Sequence, residues 1–370
     1  MTRRVALPWL CAALVVWCEG CGTVPPKPGE LATNREADDA GRFLAGFEGR
    51  EGSPYRSWQV DIAWTEHVRV FDLQWLKLER DRLPAMREFQ QRELSEAGLR
   101  NAAVFYPFGG PDILTATILF PDSPLYVLVG LEPPGSVTSS AALARRSLAV
   151  HLPRYRRALE SVLHRTFFIT GEMDQQLRGQ VADGLLPVFL IQLVRTRHTV
   201  LSAKAVTLDP AGRVVEAAGA ATGAAIEFQR EGSRRVQMLL YLSANLATER
   251  LKRNEPLIRF LESRPAVATF FKATSYMPHR ANFSLLRTEV LKKSAVVVQD
   301  DSGIPYKYYE PKRWRVELYG DYERPYGSFR GFQQVDLQAA YRSGRAKKLG
   351  FGIGYGFGRI PSNLQVAYRR

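Results

Sequence analysis

AAVFYPFGGPDILTATILFPDSPLYVLVGLEPPG, residues 102–135, sets two apolar runs on either side of a glycine turn. AAVFYP (102–107) has the length of a strand and no polar alternation. That pattern suits a strand covered on both faces, as in a parallel sheet. Gly109 and Gly110 break the run. Pro111 stands where a first helical residue would sit, with φ already fixed and no N–H to lose. ILTATILF then reads as a short helix, and PLYVLVG as the returning strand, closed by Pro133, Pro134 and Gly135. Strand, turn, helix and strand make a βαβ unit.

The pattern returns later. AVATFFKATSYMP (266–278) reads as a strand and NFSLLRTEVLKKS (282–294) as a helix, with Asn282 as N-cap and Lys292 and Lys293 in its last turn. AVVVQ (295–299) is the strand that follows. Between the two units lie a basic amphipathic helix over 138–167, interrupted at Pro153, and more helix over 173–197. A strand TVLSAKAVTLD, a hairpin over 224–246 turning at Glu231-Gly232, and a helix over 255–263 come next. Upstream, residues 71–99 have helical apolar spacing that Pro84 divides. In the tail, 314–370, WRVELYG and QVDLQAAYR read as strands. GFGIGYGFG (350–358) alternates glycine with bulk, as a strand whose bare face is packed tightly. The expectation is an α/β protein with a mixed, partly parallel sheet and flanking helices. A helical N-terminal region covers 43–100, and one α/β domain covers 101–370 with a β-rich tail.

The 370 residues are 45% hydrophobic and 24% charged, an ordinary globular balance. All three cysteines, Cys11, Cys18 and Cys21, fall in the first 21 residues. The body therefore has no disulfide framework, no cysteine-based zinc site and no thiol nucleophile. MTRR is a basic start, and VALPWLCAALVVW is an apolar run too short to span a bilayer. This segment resembles a bacterial lipoprotein signal peptide, with residues 1–20 removed and Cys21, preceded by Gly20, as the lipidated residue. Cys18 stands where that family usually has leucine. Cys18 itself follows bulky Trp17 and is the poorer acceptor. Simple secretion, with cleavage after Gly20 or Gly22, and an uncleaved anchor are the alternatives. Residues 21–42, with Pro25, Pro26 and Pro28, read as a tether. The net charge of +14 would draw such a protein to anionic lipid or acidic glycan. The arginines at 145, 146, 154, 156 and 157 could form that face, or be no more than a solvated helix face. No nucleic-acid-binding signature is present.

In a doubly wound sheet, ligands sit beyond the carboxyl ends of the strands. Two exits qualify: YPFGGPD (106–112) and QDDSG (299–303). If both strands share a sheet, Tyr106, Asp112, Asp300 and Asp301 face a common cleft, and Glu132 joins them. His279 is the only histidine at such an exit. Paired acids with a histidine suit general acid–base work or oxygen ligation of a cation. The competing reading makes Asp112 a helix-start residue and Asp-Ser-Gly a turn. FGGPDI lacks the G-x-G-x-x-G spacing, and there is no G-x-S-x-G or H-E-x-x-H, so no cofactor or metal is expected.

VFYPFGGPDIL, LYVLVGLEPPG and VVVQDDSGIPYKYY resemble motifs of a family of uncharacterised exported bacterial proteins, over most of residues 100–370. The resemblance implies a shared fold and export, and no activity. The functional expectation is a tethered envelope protein that binds a partner or ligand, or has a structural role. The alternative is a hydrolase of envelope glycans that uses an acid with His279. Composition does not fix the oligomeric state.

Overall fold

The computed structural model describes residues 35–370 except 96–98, 100, 138–139, 141–146, 169–176, 178–183, 265–266 and 357–360. Residues 1–34, with the signal-like segment and Cys21, lie outside the described residues. Ten strands form one sheet in the order β4-β3-β5-β6-β2-β1-β7-β8-β10-β9. β1 is Val104–Pro107, β2 Leu125–Gly130, β3 His198–Leu208, β4 Val214–Glu216 and β5 Gly223–Arg230. β6 is Val236–Ser243, β7 Val267–Phe271, β8 Ser294–Gln299, β9 Trp314–Gly320 and β10 Asn363–Arg369. The middle five, β6-β2-β1-β7-β8, run parallel. Antiparallel strands extend both edges. The mixed, partly parallel sheet is as the sequence indicates.

Alternate residues of the parallel strands enter two cores. Tyr106, Leu128 and Phe270 join one, while Phe105, Val129 and Phe271 join the other. The first face is covered by helices α1 (Arg35–Leu44), α2 (Ile62–Asp81), α3 (Leu83–Glu93), α4 (Ile113–Leu119), α5 (Leu148–Arg165) and α6 (Leu186–Arg195). The second is covered by α7 (Thr248–Lys252), α8 (Glu255–Glu262) and α9 (Ser284–Lys293). The connection from β1 to β2 thus carries its helix on one face, and that from β7 to β8 on the other. The chain moves outward from β1 through β2 to β6, then returns to β7 and moves outward to β8. The order reverses between β1 and β7, where an α/β sheet leaves a crevice.

Several readings change. The tether read over 21–42 does not extend through 35–42, which belong to α1, where Ala37, Ala40, Phe43 and Leu44 are buried. Asp38, within the stretch read as tether, is buried, accepts a hydrogen bond from Val200 N at 2.9 Å and pairs with Arg50 at 3.0 Å. α5 runs through Pro153. Pro84 does divide α2 from α3. QVDLQAAYR is not a strand: Leu337, Ala340 and Tyr341 are buried while Val335 is exposed, a helical spacing, and Val335–Ala340 forms α10. The described part of GFGIGYGFG has no strand; Gly354 is left-handed at φ 62°. The last strand is instead NLQVAYR, β10. Asn282 caps nothing, because a 3-10 turn at Ala281–Phe283 precedes α9. No helix among the described residues is long and apolar enough to cross a membrane.

Candidate functional site

Loops after β1, β2, β6 and β7 surround a cleft of about 1050 Å³ at the reversal point. Phe108, Gly109 and Gly110 form one wall, Lys272 to Ser275 another, with Glu132 and Asn245 from the neighbouring exits. Phe167 and Phe168 after α5, and Tyr326, Phe329 and Tyr355 from the tail, close it with aromatic rings. Five of the six described non-glycine residues with positive φ lie here or beside it: Phe108, Thr166, Ala273, Ser275 and Tyr276. Left-handed backbone at side-chain-bearing residues costs energy and collects at functional sites.

Asp112 is the N-cap of α4 and only 1% exposed. One oxygen accepts from Thr115 N at 3.3 Å and Thr115 Oγ1 at 2.9 Å. The other accepts from Tyr106 OH at 2.9 Å and pairs with the Lys272 ammonium. Lys272 also donates to Thr115 Oγ1 at 3.0 Å and to Thr166 O at 2.5 Å, so its three protons are placed. Burial lowers the Lys272 pKa, and Asp112 opposes that shift. Burial, then Asp112, holds the Tyr106 phenol well above its ordinary range. Gln192 fixes the turn before α4, accepting from Leu114 N at 3.1 Å and donating to Pro111 O at 2.7 Å.

The two acids after β8 are not among the residues lining this cleft. Asp300 accepts from Ala273 N at 2.8 Å, Ser302 N at 3.0 Å and Ser302 Oγ at 2.5 Å. It thereby holds one left-handed residue of the cleft wall. Asp301 accepts from Asn363 Nδ2 at 2.8 Å and from Tyr276 OH. His279 donates from Nε2 to the Asp301 carbonyl at 3.1 Å and packs on Tyr276 and Phe332. Gln299 closes the turn by accepting from Ile304 N at 2.8 Å and donating to Ile304 O at 2.7 Å. A Cβ on Gly303 would lie 2.8 Å from Gln299 Cδ, which explains the glycine in QDDSG.

Tyr106, Asp112 and Glu132 therefore line the cleft, whereas Asp300, Asp301 and His279 stand behind its wall. The four residues expected to share one pocket do not converge. Sequence reasoning missed Lys272, Tyr276 and the aromatic tail segments. A lysine directly after the apolar run VATFF was the available signal. Among the described residues, no group of three or more His, Cys, Asp or Glu is placed to hold a metal ion. Comparison with protein-family models, curated proteins and solved structures finds no match to the chain.

Titration of these groups should shape stability. Burial and then the Asp300 charge raise the Asp301 pKa to about 7. Its stabilisation is complete below the ordinary carboxylate range and is lost as pH rises through about 7. Burial lowers His67, His198 and His279 to about 4 each. Their stabilisation is present above about 6.5 and is lost as pH falls towards 4. The three histidines outweigh the one acid over this range, so the wild-type Tm should rise from pH 4 to about 6.5 and then level off. Asp301→Asn removes the opposing contribution while its amide oxygen still accepts from Asn363, so its Tm relative to wild type should climb as pH rises from about 4 to about 7. A Tm difference between variant and wild type that is independent of pH over this interval contradicts the assignment.

Proposed function

We propose that this chain is a ligand-binding protein of the bacterial envelope, held at a membrane by a lipid on Cys21, and that the cleft at the β1/β7 reversal takes a small, largely apolar molecule. The observation that carries the binding reading is the cleft itself: aromatic walls, a few polar groups, and a strained backbone fixed from behind. Concave, mostly apolar sites with a small polar set are the usual form of small-molecule pockets. Binding is favoured over glycan hydrolysis because Asp112 is saturated by four donors and His279 is engaged behind the wall. The anchor, export and kinship with exported bacterial proteins rest on the residues quoted above. The basic surface fits an anionic membrane as neighbour.

Asn282 lines the cleft, is exposed, and its side chain makes no hydrogen bond among the described residues. Asn282→Trp should fill the cleft at little cost to stability. Fluorescence titration with the neutral probe N-phenyl-1-naphthylamine should show one saturable site, weakened at least tenfold by Asn282→Trp. Equal binding by both proteins, or no saturable binding, overturns the reading. For the anchor, Cys21→Ser should move the protein from the membrane to the soluble envelope fraction; retention in the membrane rejects lipidation there.

A further inference from the structure

Among the described residues lining the cleft, four are charged, and one of these is buried without a countercharge. Asp112 and Lys272 neutralise each other. Arg165 is exposed at the end of α5, where water screens it. Glu132 is 8% exposed and has no ion pair among the described residues. Its Oε2 accepts from Leu131 N at 3.0 Å. The Tyr241 hydroxyl stands beside the same carboxylate as a neutral neighbour, not a countercharge. The residue is held in place: Tyr241 OH donates to the Glu132 carbonyl at 2.7 Å. A Cβ on Gly130 would fall 2.7 Å from Glu132 Oε2 and 2.8 Å from Tyr241 OH, so the glycine makes room for the carboxylate. A largely buried carboxylate with only neutral donors carries an uncompensated charge, and a cation delivered to it supplies the missing countercharge. Phenylalanine and tyrosine faces in the same cleft also attract cations.

From these contacts we infer that the ligand is an organic cation, an amine on an apolar or aromatic body, whose charged end is read by Glu132. This rests on the cleft being a ligand site. Arg165 adds a screened opposing charge at the rim and sets no requirement for an anion.

Calorimetry on the full chain tests the inference with phenethylamine, 2-phenylethanol and 3-phenylpropionate, probes of similar shape and different charge. The amine should bind at least tenfold more tightly than the alcohol, and the acid least. Glu132→Gln keeps an acceptor for Leu131 N, and should erase the preference for amine over alcohol. Arg165→Ala should leave the preference for the amine in place. Equal affinity of amine and alcohol in the wild type, or an amine preference that survives Glu132→Gln, overturns the inference. If N-phenyl-1-naphthylamine binds saturably but the amine holds no advantage, the cleft stands and the cation reading falls. If neither binds, both fall. Melting curves of each variant separate lost binding from lost folding.

Discussion

Gly354→Ala is expected to destabilise the protein by more than about 4 kcal/mol, or to prevent its accumulation. Gly354 has φ 62°, and its added Cβ would overlap the Asp300 carboxylate, with Cγ only 2.8 Å away. Asp300 cannot retreat, because it holds Ala273 N and Ser302 N. Gly354 O also accepts from Thr166 Oγ1 at 2.7 Å, beside the lysine contact on Thr166 O. The left-handed conformation alone accounts for about 1 kcal/mol in alanine, and the overlap supplies the rest. Gly110→Ala is the control: φ is 51°, but nothing lies within 4 Å of its added Cβ, so about 1 kcal/mol is expected. Urea unfolding of the two variants should separate them clearly. A Gly354→Ala protein within 1 kcal/mol of wild type would contradict the packing.

Lys272→Met should cost about 3–5 kcal/mol, the usual effect of stranding one member of a buried ion pair. Asp112 would keep Tyr106 and Thr115 as donors but lose its cation, and Thr166 O would lose its donor. Adding Asp112→Asn removes the stranded charge while leaving an oxygen for Thr115 N. The double variant should recover at least half of the loss. Equal stability of the single and double variants, measured by urea unfolding, would show that the pair is not a buried couple.

The parallel centre was legible because buried strands such as VATFF and VVVQ are continuous apolar runs, and because Gly-Pro turns marked their ends. The tail was not. QVDLQAAYR carries both a two-residue and a helical periodicity, and only the exposure of Val335 against buried Leu337 selects the helix. NLQVAYR hides a buried strand behind Asn363 and Gln365, whose side chains face Asp301 and Gln299. For the site, Tyr106, Asp112 and Glu132 followed from strand ends, but the roles of Asp300 and Asp301 did not. An adjacent acid pair after a strand looks alike whether it faces a cleft or ties down the next loop. Lys272 escaped notice because its meaning comes from Asp112, 160 positions away in the chain. The aromatic wall joins three distant segments, and no local pattern announces it.

On the proposed reading, the cleft between the β1 and β7 exits is the ligand site. Crystals grown with N-phenyl-1-naphthylamine test it most directly. The expected result is density for the probe against Phe108, Phe329 and Tyr355. Probe density at another place, with that cleft empty, would contradict the account.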